Sequence, residues 1–120
     1  MATLNTTVKL ETSSSVAGVL KLDFTNTQPF TIGDVAGDDL TVNALTSLVA
    51  TGYGATAYVY VVNTASDAAH TIALMTDAGV QWGTLEAGEW GFFAIPNGTG
   101  FKVQADAGVP VLNYVIMKKA

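Results

Sequence analysis

Cysteine and arginine are absent from this chain of 120 residues, histidine occurs once and proline three times. Without cysteine there is no disulfide framework and no thiolate nucleophile, so stability must come from packing or association. The ten carboxylates are scattered among Thr, Ala, Gly and Val, and the residue types that usually build general bases and metal sites are correspondingly sparse. Charge is scarce too, at 12% of residues, about half the ~25% of an ordinary domain. The net charge is −5, and the five cations, Lys9, Lys21, Lys102, Lys118 and Lys119, are spread along the chain. No basic stripe or Arg-flanked aromatic platform is present, so no nucleic-acid partner is expected. Long apolar runs are missing as well, and no membrane partner is expected. The N-terminus, MATLNTTVKLE, lacks a basic segment followed by an apolar run and a cleavage site, which points to synthesis in a cytosol.

What the chain does have is apolar bulk: 49% of its residues are hydrophobic and the mean hydropathy is +0.37. Its length suits a single domain spanning residues 1–120. So apolar and weakly charged a domain is expected to cover one of its faces with a neighbouring subunit or partner.

Hydrophobic periodicity points to strands. Leu4, Thr6, Val8 and Leu10 alternate with Asn5, Thr7, Lys9 and Glu11, the period of a half-buried strand. A second strand is expected over Val16, Gly18, Leu20, Leu22 and Phe24, ended by Thr25, Asn26, Thr27 and Pro29. Gly33 to Asp39 reads as a loop. Leu40 to Val49 reads as strand rather than helical turn, because Thr41, Val42, Thr46 and Val49 are β-branched. The run Tyr58-Val59-Tyr60-Val61-Val62 is expected to be a central strand covered on both faces. Further strands are expected over 70–76, 80–85, 90–95, 101–105 and 111–117. They are separated by turn chemistry at Asp77-Ala78-Gly79, Glu86 to Glu89, Pro96 to Gly100 and Asp106-Ala107-Gly108. Eight or nine short strands at such intervals predict an all-β domain, an antiparallel β-sandwich or jelly roll of about eight strands, with a closed barrel as the other architecture of this class.

Few residues suggest chemistry. His70 lies near Asp67 and Ser66, but a turn seldom presents nucleophile, base and orienting group together, and a structural role for His70 is expected. Asp34, Asp38 and Asp39 lack the alternating ligand pattern and closing glutamate of an EF-hand loop, so no metal or other cofactor is expected. Glu86 and Glu89 flank one turn beside Trp90, the spacing at which a glycosidase pair would be sought, with nothing in the sequence enclosing them. The sequons at Asn5 and Asn97 are what chance provides in a Thr-rich chain. Trp82, Trp90 and Tyr53 are the candidate contact residues, because an indole with a satisfied N–H is enriched at interfaces and sugar-stacking sites. The competing expectation is that Trp82 and Trp90 pair across a hairpin and cover the end of the core.

From Tyr58 to Ala120 the chain resembles the small β-sandwich virion proteins of tailed bacteriophages. The resemblance is carried by a strand ending in Asn63, the turn Gly83-Thr84-Leu85-Glu86-Ala87-Gly88-Glu89, the aromatic-rich strand after it, the Ala105-Asp106 turn and the closing Tyr114-Val115-Ile116 strand. It implies a non-enzymatic capsid decoration or cement protein on the virion surface, synthesised in the host cytoplasm and bound to the major capsid protein or another virion protein. It also implies a homo-oligomer, for which a trimer is the expected number. A carbohydrate- or receptor-binding module using Trp82, Trp90 and Tyr53, and a neck, tail or fibre component, are the alternatives. The N-terminal segment is expected to be either an ordered strand or an arm exchanged with a neighbour.

Overall fold

A computed structural model describes residues 2–11 and 23–120. These residues form nine strands and no helix: β1 (Ala2–Glu11), β2 (Asp23–Thr41), β3 (Thr46–Val49), β4 (Ala57–Asn63), β5 (Thr71–Met75), β6 (Gln81–Leu85), β7 (Trp90–Ile95), β8 (Phe101–Ala107) and β9 (Val111–Lys119). A five-stranded sheet has the order β1-β2-β9-β4-β7, and a four-stranded sheet the order β3-β8-β5-β6. Every pairing is antiparallel. The pairs are nested: β5 with β6, β4 with β7, β3 with β8 and β2 with β9. A ribbon folded at the Asp77–Gly79 turn and wrapped into two facing sheets in this way is a jelly roll. β1 adds a further strand to one edge.

The two sheets enclose a single apolar layer. Val59 and Val61 of β4, Leu112 and Ile116 of β9, Ile72 and Leu74 of β5, and Phe101 and Val103 of β8 are buried in it, with Val42, Val49, Leu85 and Ile95. The alternation read from the sequence is what brings these side chains to one face of each strand.

The structure departs from the sequence reading along β2, which runs for 19 residues through both the expected terminator Thr25–Pro29 and the expected loop Gly33–Asp39. Two partners explain its length. Residues 23–32 pair with β1 and residues 35–41 with β9, and the register shifts between Ile32 and Val35. Pro29 is tolerated because, among the described residues, that half of β2 has a neighbour on one side only. Gly37 is where β9 crowds the strand, since a Cβ there would lie 2.7 Å from the Tyr114 carbonyl oxygen. The strand expected over 16–24 lies almost wholly outside the described residues.

Tyr58 to Val62 is an interior strand as expected, and its second face is covered by the chain itself. The ribbon of β1 and the first half of β2 lies over the outer face of the five-stranded sheet. There Ile32 is buried with Tyr58 and Met117, and Leu4, Phe30, Phe92 and Val115 pack around them. The Phe30 ring is 4.4 Å from that of Tyr58 and 6.0 Å from that of Phe92.

Asn63, at the end of β4, is the only polar side chain among the described residues that is fully buried. Its Nδ2 donates to the carbonyls of His70, at 3.0 Å, and Leu85, at 3.1 Å. Its Oδ1 accepts from the Ala65 amide at 3.1 Å. Its backbone exchanges hydrogen bonds with the turn between β6 and β7, Asn63 N–H to Glu89 O and Gly88 N–H to Asn63 O. Replacing Asn63 with alanine strands two carbonyls and an amide in the interior, which is expected to cost about 3 kcal/mol. Asn63→Asp, which keeps an acceptor but cannot donate when ionised, is expected to destabilise as well. Urea denaturation of the two variants against the parent measures both.

Candidate functional site

The three aromatic residues singled out in the sequence occupy different places. Trp82 stands on β6 at a bulge: Leu74 pairs with Gly83 and Met75 with Gln81, so Trp82 is the unpaired extra residue. A bulge re-aims a side chain, and the indole meets Phe93 edge-on at 5.2 Å and Phe101 at 6.0 Å. Phe93 and Phe101 are themselves in edge contact at 5.1 Å. This cluster joins β6 and β8 of one sheet to β7 of the other. Trp90 lies on the outer face of the five-stranded sheet and touches the Tyr60 ring at 6.2 Å.

The expected Trp82–Trp90 pair across a hairpin does not form. β6 pairs with β5 and β7 with β4, because the Glu86–Glu89 turn carries the chain from one sheet to the other. Tyr53 sits in the β3–β4 connection, half-buried against the core, with Lys118 Nζ 5.3 Å from its ring centroid. Burial, and secondarily the Asp34 carboxylate, raise its phenol above the ordinary value of 10.0.

The outer face of the five-stranded sheet can be read row by row from the register. One row across β2, β9, β4 and β7 is Asp39, Asn113, Val62 and Trp90; the next is Gly37, Val115, Tyr60 and Phe92; the third is Val35, Met117, Tyr58 and Ala94. The solvent side of a sandwich sheet is ordinarily polar, whereas this one is aromatic and aliphatic over two rows. The β1–β2 ribbon covers part of it. An open cleft of about 240 Å³ remains between Thr6, Thr7 and Val8 on the ribbon and Tyr60, Trp90 and Phe92 on the sheet. It adjoins a second space of about 260 Å³ bounded by Leu4, Thr6, Tyr60, Phe92, Val115 and Met117. Trp90 is 57% exposed at the mouth of this groove. The first row ends in a polar pair, Asn113 Nδ2 donating to Asp39 Oδ1 at 2.9 Å.

Sequence reasoning named Trp90 here but missed Tyr60 and Phe92. Their signal was present: Trp90, Phe92 and Ala94 alternate on β7 as Tyr58, Tyr60 and Val62 do on β4, which places apolar side chains on the outward parity of both strands.

The other clusters resolve into local structure. His70 and Ser66 line a shallow cleft with Thr64, Val109, Pro110 and Val111. Asp67 Oδ2 is 3.9 Å from His70 Nε2, while Asp67 Oδ1 accepts the Ala69 amide at 2.9 Å and closes the turn. The Glu89 carboxylate accepts the Glu86 amide at 2.6 Å, so it pins the turn that the sequence had set beside a glycosidase pair. Asp34, Asp38 and Asp39 lie on β2, where successive side chains point to opposite faces. Asp38 Oδ1 accepts the Asp39 amide at 2.8 Å. Among the described residues no group of three or more His, Cys, Asp or Glu side chains is placed to share a metal ion. Comparisons of the chain with known protein families, with curated proteins and with solved structures find no match.

Trp82 and Trp90 are similarly exposed yet differently held, and substitution separates them. Trp82→Ala is expected to lower stability by about 2 kcal/mol, since it opens the cluster with Phe93 and Phe101. Trp90→Ala is expected to stay within about 0.5 kcal/mol of the parent; thermal unfolding of both variants reads the difference. A raised Tyr53 value means that stability is intact below pH ~10 and falls as pH rises through the folded-state value. Tyr53→Phe is expected to flatten that alkaline decline in a melting-temperature series.

Proposed function

We propose that this protein is a non-enzymatic structural protein that works by adhering to other protein surfaces, as a decoration or cement protein on the capsid of a tailed bacteriophage. The observation that carries the reading is the outer face of the five-stranded sheet, where Trp90, Tyr60 and Phe92 border an open groove. Partly exposed Trp and Tyr at the centre of an apolar patch are the side chains that dominate protein–protein binding energies. The jelly roll is an architecture that capsid domains use, and the C-terminal half carries the resemblance to small phage virion proteins. The partner is the major capsid protein or another virion protein. A chain with a net charge of −5 complements a basic shell surface, so binding weakens as salt is raised.

One observation favours a second reading, a carbohydrate- or receptor-binding module. The Trp90 indole lies beside the hydroxyl-bearing Thr6 and Thr7, and an indole flanked by hydroxyls suits a sugar ring. The candidate platform is then Trp90 with Tyr60, because Trp82 and Tyr53 lie elsewhere.

Quantitative peptide mass spectrometry of gradient-purified particles tests the first reading. The expected result is a copy number that is a simple fraction of the major shell subunit, and a lower occupancy for Trp90→Ala with its melting temperature unchanged. A handful of copies per particle moves the protein to the neck, tail or fibre. Absence from particles, together with glycan-dependent quenching of tryptophan fluorescence that Trp90→Ala abolishes, establishes the second reading.

A further inference from the structure

The two sheets have four edges: β1 and β7 in one, β3 and β6 in the other. Natural edge strands are defended by shortness, bulges, proline or charge, because an open row of N–H and C=O groups recruits further strands. β3 has four residues and a register shift between Ser47 and Val49. β6 has five residues and carries the bulge at Trp82. β7 has six residues. β1 differs from all of them in length and regularity: ten residues, ATLNTTVKLE, with Lys9 and Glu11 as its only charges, without proline and in unbroken register with β2 from Ala2 opposite Ile32 to Glu11 opposite Asp23. Its other side has no strand against it among the described residues. The half of β2 behind it is exposed from Thr25 to Pro29, so this part of the sheet is a two-stranded ribbon, which is marginal in water without further strands.

We propose that the open edge of β1 is a homotypic interface, at which two copies of this chain pair their β1 strands antiparallel about a two-fold axis and fuse their five-stranded sheets into one.

The sequence of β1 is self-complementary in the way such pairing needs. For the faces of the two sheets to continue into each other, residues of the same parity must stand opposite one another. Centring the axis on Thr7 sets Asn5 opposite Lys9 and Thr6 opposite Val8; centring it on Thr6 sets Thr3 opposite Lys9 and Leu4 opposite Val8. These two registers pair the most residues, and in neither does a lysine face a lysine. Both continue the parity of Leu4 and Thr6, the half-buried side that faces the outer surface of the sheet. Val8, 42% exposed in one chain, gains an apolar or threonine neighbour from the other. Thr7 lies at the axis or diagonal to it, beside the hydroxyl contact of 2.9 Å that it makes with Thr27. Such an interface is isologous and closes at two. The trimer expected from the phage resemblance would instead need a heterologous contact. The proposal stands apart from the virion reading, since it concerns the protein by itself.

Charge placed at the axis tests it. Thr7 is exposed, so Thr7→Lys and Thr7→Glu leave the chain folded, which far-UV circular dichroism verifies. Sedimentation equilibrium of the purified full chain is expected to give a dimer at micromolar concentration. Dimerisation is expected to weaken about five-fold in each variant alone, because like charges then meet across the axis. An equimolar mixture of the two variants is expected to recover or exceed the parent's affinity. A monomeric parent, a trimeric mass, variants that dimerise as the parent does, or a mixture without recovery each overturns the proposal.

Discussion

The buried amide of Asn63 is the point on which the rest of this jelly roll depends. Three segments converge there: the end of β4, the loop that carries His70 into β5, and the end of β6 with the turn leading to β7. Each would bring an unpaired backbone group into the interior, and burial without a partner costs more than a hydrogen bond returns in water. The Asn63 side chain satisfies the carbonyls of His70 and Leu85 and the amide of Ala65, while its backbone ties down Gly88 and Glu89. A side chain with two donors and an acceptor in one plane is what this corner requires. Its contacts span both sheets, so it fixes where the chain passes from one to the other. The Glu86–Glu89 crossing in turn sends Trp82 to the core cluster and Trp90 to the opposite surface.

A second constraint comes from the composition of β4. Its Val59 and Val61 face the core, and its tyrosines need cover on the other side. The protein supplies that cover from its own N-terminal ribbon, anchored where Phe30 and Ile32 meet Tyr58 and Met117. The cover stops short of the Trp90 row, and the partly shielded aromatic surface beyond it is the most distinctive chemical feature of the molecule. The thin charge of the chain, evident from composition alone, thus has a location: apolar residues are spent on two faces of one sheet instead of one.

The strand series was legible because alternation and turn chemistry agree over most of the chain, as at Asp77-Ala78-Gly79, where Gly79 takes a φ of +82°. Sheet membership was not legible. The Glu86–Gly88 and Pro96–Gly100 segments have hairpin composition, yet each joins strands of different sheets, and local turn chemistry does not encode which edge the returning strand meets. β2 was misread for a related reason. Gly33, Asp34, Gly37 and Asp38 disfavour a strand on propensity, but pairing to β1 and β9 overrides that preference. At the candidate site, Trp90 stood out by residue type, whereas Tyr60 was read as part of a strand covered on both faces and Phe92 was not singled out, because outward parity on an outer sheet face is a tertiary fact. Asn63 stood out in the sequence only as the end of a strand, and its neighbours alone reveal that it is buried.

The nested pairing also sets the order in which the chain can find its fold. Only β5–β6 and the β1–β2 ribbon pair strands adjacent in sequence. β2 and β9 must meet across nearly the whole body of the protein, as in the Asn113–Asp39 bond between residues 74 positions apart. Loop closure is entropically cheapest when the inner pairs have already brought the outer ones together, so assembly runs outward from the Asp77–Gly79 hairpin like a zip. Topologies dominated by such distant pairings fold slowly, in milliseconds to seconds. On a growing polypeptide, where residues emerge in sequence order, the β1–β2 ribbon is complete long before β9 exists to receive it. The chain therefore passes through a period in which the residues of its longest edge strand are present and the sheet that anchors their ribbon is not.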